Sequence, residues 1–308
     1  MHMESTMKRI IVRLEGGLGN QLFQYAHALK LQKHYGGIVI FDQHAYTKKQ
    51  IRSCSLKNYK LNDITRFNLS IFDRAIVFFS IVFTRFVNKK GLISTIERYQ
   101  KFSRYGFFYQ YQVRAFESLT PSDTYYKYIV GNWLSGVFFK DAEADVRKAL
   151  VCRIKLSDKC SFMAEQIRSS ESVCVHIRLG DYLAPQWKDK LYVCTPQYYQ
   201  QAIKQIKERV ENPHFYVFSN RHKDFEMIVN EYGLGDVTYV DMGNSDVEDM
   251  ELMRLCKHFI MSNSTYSWWA QYLSDNPNKV VIAPDHFNNY PEWDMTDIYL
   301  DNWINIDV

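Results

Sequence analysis

The feature that most restricts how this chain can fold is the regular alternation of its second half. Short apolar runs of β character take turns there with segments of helical period. Val173–Arg178 is an apolar β-type run, and Pro196–Val210 follows with Tyr199, Ile203, Ile206 and Val210 at helical spacing and proline at the first turn. His214–Ser219 reads as a strand, Lys223–Tyr232 as a helix and Thr238–Val240 as a short strand. Asp246–His258 is helical, Phe259–Ser262 a buried strand, Ser264–Leu273 helical again, and Lys279–Pro284 a strand. Strands separated by helices at this period require crossover connections, so the expected sheet is parallel, doubly wound and right-handed in its βαβ units.

The first half opens the same way. Arg9–Arg13 is a strand, Gly16-Gly17-Leu18-Gly19 a turn, and Asn20–Tyr35 a helix with Leu22, Ala26, Leu29 and Lys33 on one face. Asn20 is the expected N-cap, Gly36-Gly37 ends the helix, and Ile38–Phe41 is the next strand. From Thr47 to Ser122 the pattern is irregular, and no elements are assigned. A chain of 308 residues fits two domains of ordinary size. The expected architecture is therefore two α/β domains with mostly parallel sheets facing a cleft, divided as 1–160 and 161–308. The polar stretch Lys155–Glu171 is the expected linker.

Composition excludes several classes. The charge of +4 is the difference of 38 basic and 34 acidic side chains, too even for a bulk nucleic-acid binder. Six cysteines, none in a C-x-x-C pair, read as reduced thiols of a cytoplasmic protein. The N-terminus has no secretory apolar core. Ala75–Phe83 is apolar but well short of the ~20 residues a membrane span needs. With Arg74, Arg85, Lys89 and Lys90 around it, this run suits a helix lying on an anionic membrane surface, while a core-facing or interdomain element is the plainer reading.

Three motifs carry chemistry. Gly16-Gly17-Leu18-Gly19-Asn20 joins a strand to a helix, where free N–H groups favour an anion or a polar sugar. It fails the dinucleotide fingerprint, because Leu22 holds the third glycine position. Val173–Tyr182 places His176, Arg178 and Asp181 at the end of a buried strand, and strand ends open onto the ligand crevice of such a sheet. Arg178 suits bidentate contact with phosphate; the alternative is a structural pair with Asp181. Ser262–Trp269 brings five hydroxyls to a helix N-terminus, a phosphate cradle, beside Trp268 and Trp269 that either stack on ligand or fill the core. No D-x-D motif, zinc spacing, P-loop or nucleophile elbow is present, so Arg178 with helix N-termini offers a metal-free way to stabilise a leaving diphosphate.

GGLGNQLFQYA, HIRLGDY and SNSTYSWWA, in this order and spacing, resemble the bacterial α-1,2-fucosyltransferases, relatives of the animal H-type enzymes. The resemblance runs from Ile10 to Pro284. It implies a GT-B-like fold, GDP-β-L-fucose as donor, and transfer with inversion to the 2-hydroxyl of a terminal β-galactose, with no metal or other cofactor. A role in surface polysaccharide synthesis, on a galactose-terminated or lipid-linked acceptor, goes with it. The resemblance makes 1–160 the acceptor-side domain and 161–308 the donor domain. It assigns Arg178 to the pyrophosphate, His176 to the nucleoside and Asp249 to guanine. Ser264, Thr265 and Tyr266 meet the phosphates, and Gly17, Gly19 and Asn20 approach the fucose and pyrophosphate.

Asp181 is the nearest general base, or else it orients Arg178 or Tyr182. Two departures stand out: Asn220-Arg221 where relatives carry an acidic pair, and Leu179 where many carry a second arginine. Competing readings keep GDP-fucose with another acceptor or linkage, or make the chain a non-catalytic glycan- or nucleotide-binding module. A nucleotide-dependent oxidoreductase is disfavoured by the failed glycine fingerprint.

Overall fold

The structure, a computed structural model, describes residues 7–46, 53–89, 102, 104–110, 124–185, 191–219, 225–240, 243–289 and 295–307. The chain divides into two compact units. Unit 1 is Met1–Val151 with Thr296–Ile298, and unit 2 is Cys152–Met295 with Tyr299–Val308. The division precedes the expected boundary at 160/161, which falls inside a helix described below.

Unit 1 contains β1 (Arg9–Arg13), α1 (Leu18–Tyr35), β2 (Ile38–Asp42), β3 (Thr65–Arg66), α2 (Ile71–Lys89), β4 (Phe107–Gln110), β5 (Tyr126–Gly131) and α3 (Glu143–Ala149). Its sheet runs β3-β2-β1-β5-β4 with every pairing parallel. Strand β2 is buried at all five positions, as expected of a parallel strand covered on both faces. Helix α1 begins two residues earlier than its sequence pattern predicts. Gly16, at φ +81°, and the extended Gly17 turn the chain so that the Gln21 N–H donates to the Gly17 carbonyl at 3.1 Å. Gly17 is thus the N-cap, and Gly19 and Asn20 lie in the first helical turn.

The irregular stretch holds β3, α2 and β4. Helix α2 is anchored by Asp73, whose buried carboxylate accepts from Arg9 Nε at 2.6 Å and Arg9 Nη2 at 2.7 Å. The same carboxylate accepts from the Ser70 N–H at 2.8 Å and the Ser70 hydroxyl at 2.6 Å. Val77, Ile76, Ile81 and Phe83 pack one side of α2 against Ile11, Ile40, Tyr128 and Val130. Among the described residues no helix is long and apolar enough to cross a membrane.

Burial alone would raise the Asp73 carboxyl, but the hydrogen bonds from Arg9 and Ser70 outweigh it and hold its pKa below the ordinary value. Its contribution to stability is therefore complete above the unfolded carboxylate pKa and is lost as pH falls through the lowered folded value. Asp73→Ala leaves Arg9 without its partner and is expected to cost about 3 kcal/mol at neutral pH. Urea unfolding at neutral and acid pH checks both points, since the variant's deficit should shrink in acid.

Unit 2 contains α4 (Asp158–Ser169), β6 (Glu171–Ile177), α5 (Pro196–Lys207), β7 (Pro213–Ser219), α6 (Phe225–Tyr232), β8 (Val237–Tyr239), α7 (Asp246–Leu255), β9 (His258–Ile260), α8 (Thr265–Leu273), β10 (Val281–Pro284) and β11 (Ile304–Ile306). Helix α4 occupies the stretch expected to be linker. Its buried stripe is narrow (Cys160, Met163, Ala164 and Ile167), which is why the sequence there reads as polar. The sheet order is β11-β10-β9-β6-β7-β8, again parallel throughout. The chain winds outward from β6 to β8, then returns to the other side of β6 and winds out to β11. The order therefore reverses between β6 and β9, and the carboxyl ends of these two strands flank the topological switch point where such sheets bind ligands. Trp268 and Trp269 are fully buried, and Trp268 stacks on Tyr272 with ring centroids 4.9 Å apart, so both indoles belong to the core.

Candidate active site

Strand β6 is buried from Ser172 to Ile177, paired with β7 on one side and β9 on the other. Burial between neighbours fixes where its last side chains emerge. His176 is 4% exposed, and its Nδ1 lies 2.8 Å from the hydroxyl of Ser262, just beyond β9. Burial, and secondarily the Arg178 cation, lower the imidazole pKa to about 3, so His176 is neutral at physiological pH. The Tyr199 hydroxyl donates to the His176 carbonyl at 3.0 Å and pins the backbone there.

Arg178 follows the last residue of the strand and is partly exposed. Its guanidinium carbon lies 5.6 Å from the centroid of the Tyr182 ring. The Tyr182 hydroxyl donates to the Asn263 carbonyl at 3.0 Å, tying the exit of β6 to the exit of β9. Asn263 in turn donates from Nδ2 to the carbonyls of Tyr192 at 2.5 Å and Phe287 at 2.9 Å. It is a clamp between loops, a role that its place among hydroxyls did not signal. Leu179 is buried in the unit 2 core, so this position serves packing. The backbone of Asp181 lies in the short helical turn Gly180–Leu183. Its side chain, and the residues Asn220 and Arg221, lie outside what the structure describes.

The N-terminus of α8 faces the same corner. Ser264 is its N-cap and accepts from the Tyr266 N–H at 3.2 Å. The Ser267 hydroxyl donates to the carbonyls of Ser262 at 3.2 Å and Ser264 at 3.1 Å. The five hydroxyls are therefore not equivalent. Ser262 is engaged with His176, Ser264 and Ser267 with the helix start, and the Tyr266 hydroxyl donates to the Asp246 carbonyl. Thr265 and Tyr266 keep partial exposure, and the Tyr266 ring lies 5.8 Å from that of His176.

Asp246 opens α7, so Tyr266 joins two helix N-termini beside the end of β6. Helix α7 starts with a capping box in which Glu248 accepts from the Ser245 N–H at 3.1 Å and the Ser245 hydroxyl at 3.0 Å. The Ser245 N–H, against a smaller opposing effect of burial and aided by Ser157, draws the Glu248 pKa down to about 2. Glu248 is thus consumed by the cap. Its neighbour Asp249 is partly exposed and accepts from the Asn244 amide at 2.7 Å, which orients its carboxylate. Among the described residues no group of three or more His, Cys, Asp or Glu could hold a metal ion.

Gly17, Gly19 and Asn20 belong to unit 1. Two fully buried glutamines of the same motif hold that turn. Gln21 donates to the carbonyls of Gly16 at 3.2 Å and Ser53 at 2.9 Å, and accepts from the Ser55 N–H at 2.9 Å. Gln24 pairs reciprocally with the backbone of Glu15, accepting at 3.1 Å and donating at 3.2 Å. The Asn20 amide reaches Asn132 at 3.5 Å. None of Gln21, Gln24 and Asn132 was singled out from sequence. A Cβ on Gly16 would lie 2.6 Å from Asn20 Nδ2, at a positive φ that L-residues rarely adopt. Gly16→Ala is expected to destabilise unit 1 by on the order of 1–3 kcal/mol, read as a fall in the thermal midpoint.

Residues 9–307 match the family described as Glycosyl transferase family 11. The alpha-1,2-colitosyltransferase of Escherichia coli is 29% identical over 307 residues, covering 98% of this chain and 100% of that protein. Galactoside alpha-(1,2)-fucosyltransferase 1 of Oryctolagus cuniculus is 31% identical over 153 residues, covering 46% of this chain and 40% of that protein. The fold is GT-B-like, shared with fucosyltransferase NodZ from Bradyrhizobium at a TM-score of 0.57 and 14% identity, over 90% of this chain and 94% of that one. With the family match running from the first strand of unit 1 to the last strand of unit 2, the chain belongs to Glycosyl transferase family 11.

Proposed function

We propose that the protein transfers L-fucose from GDP-β-L-fucose to the 2-hydroxyl of a terminal β-galactoside, with inversion and without a metal, in the synthesis of a surface polysaccharide. The observation that carries this reading is the group at the switch point of unit 2. There Arg178 and a neutral His176 leave β6 beside the N-terminus of α8. Charge builds on the diphosphate as the glycosidic bond breaks, and a fixed guanidinium with helix N–H groups stabilises that charge most in the transition state. Thr265 and Tyr266 sit at that helix start, and Ser264 keeps a hydroxyl proton to donate. His176, held by Ser262, acts as a neutral nucleoside contact. Asp249 offers carboxylate oxygens to the guanine N1–H and 2-amino donors, a pattern adenine lacks. Gly17, Gly19 and Asn20 in unit 1 are assigned to the fucose and pyrophosphate. Asp181 is assigned either to general base or to orienting Arg178.

A second reading concerns the donor sugar. The full-length similarity to an alpha-1,2-colitosyltransferase favours testing GDP-colitose, the 3-deoxy counterpart, alongside GDP-fucose. The decisive assay measures GDP release from each donor in EDTA, with and without a panel of β-galactosides. Acceptor-dependent release from GDP-fucose supports the proposal. Preference for the 3-deoxy donor would replace fucose by colitose, and a requirement for added metal would contradict the part given to Arg178.

A further inference from the structure

Helix α2 has two apolar sides, and the core uses only one. Ile71, Phe72, Phe78, Phe79 and Val82 recur at helical spacing and are between 48% and 78% exposed. Large side chains repeated along one helix at this exposure form a contiguous apolar face, the kind that marks an interaction surface rather than scattered surface hydrophobics. The face continues sideways. Ile76, one turn from both Phe72 and Phe79, lines a pocket of about 270 Å³ with Tyr105, Phe107, Tyr125 and Tyr126. Tyr105 and Tyr125 are themselves exposed, and tyrosines of this kind collect where an apolar phase meets water.

Charge selects the occupant. The helix carries Arg74, Arg85 and Lys89, with Lys90 directly after it. Its one acidic residue, Asp73, is buried against Arg9 and presents no negative charge outward. Arg74 is exposed one turn before Phe78 on the same row of the helix. Among the described side chains of the helix, an apolar face flanked by exposed Arg74 with no outward acid is complementary to anionic lipid headgroups above an acyl layer. A symmetric contact with a second copy would instead bring these cations face to face.

We propose that α2 and the tyrosine-lined pocket beside it dock unit 1 onto an anionic lipid bilayer, with the helix lying in the interfacial plane. Sequence alone left a surface-lying helix and a core-facing one as alternatives, and α2 does both, one side each. Docking there would bring the enzyme to acceptors carried on lipid.

The test is co-sedimentation of the full-length protein with vesicles of phosphatidylcholine alone and of phosphatidylcholine with phosphatidylglycerol. The wild type is expected to pellet with the anionic vesicles only, less so as salt is raised. Phe78→Ser combined with Phe79→Ser should weaken that binding at least about tenfold, and Arg74→Glu by about tenfold. All of these proteins should transfer sugar to a soluble acceptor at the wild-type rate, which also shows them folded. Equal binding to both vesicle types, binding to neither, or variants that pellet like the wild type would overturn the proposal. So would a concentration-dependent dimer dissolved by the same substitutions. Vesicle binding is read without donor, so its failure leaves the GDP-fucose reading untouched, and the converse holds.

Discussion

Replacing Arg178 with alanine is expected to lower turnover by on the order of 10²–10³-fold while leaving the protein folded. Arg178 lies beyond the end of β6 and is partly exposed, so its removal opens no cavity in the core. The structural cost includes its contact with the Tyr182 ring, roughly 0.5–1 kcal/mol at an exposed site. The catalytic cost is larger, because the guanidinium acts where charge develops rather than on the bound donor alone. The loss should therefore appear in kcat as well as in kcat/KM. Arg178→Lys keeps the charge without the bidentate fork and should recover only part of the rate. Steady-state GDP release beside a thermal melt measures both quantities. A wild-type rate in Arg178→Ala would remove this residue from the mechanism.

Asp249→Asn should act differently, raising KM for the GDP-sugar by about 10²-fold with little change in kcat. A base contact distant from the breaking bond is equally strong in the ground and transition states, so its loss weakens binding and not the chemical step. The asparagine would also turn an amide donor toward guanine donors. Discrimination between GDP- and IDP-linked donors, which differ in the 2-amino group, should fall in the variant. Glu248→Gln is the internal comparison, since Glu248 is tied into the capping box with Ser245. It should lower stability slightly and leave KM alone. An unchanged KM in Asp249→Asn would free that carboxylate from the assignment.

The parallel alternation of unit 2 from β6 to β10 is readable because the elements along that stretch each show a single period. β6 and β10 are continuous apolar runs, and α5 carries its buried Tyr199, Ile203 and Ile206 at helical spacing. His176 and Arg178 were readable for a related reason, since polar side chains ending a buried strand require an explanation. Other features left no such mark. Helix α4 buries too narrow a stripe to rise above its polar residues. Strands β3 and β4 span two and four residues, too few to show alternation. Helix α2 has a clear helical period, but its richest apolar stripe faces outward while Asp73 and Ser80 are buried, so the pattern does not tell which side meets the core.

Asn20 is a good capping residue and marks a later start for α1 in the sequence, while the glycines before it permit an earlier start without a side-chain cap. The clamps were the least legible. Gln21, Gln24 and Asn263 bond mainly to backbone carbonyls and N–H groups, some supplied by segments remote in the chain, and pattern reading has no access to such pairings.

The most direct measurement is NMR of the product formed from GDP-β-L-fucose and a terminal β-galactoside in EDTA. The expected product carries fucose α-linked to O2 of galactose, the inverted configuration. A β-linked product, linkage to another galactose oxygen, or no product without added metal would contradict the account.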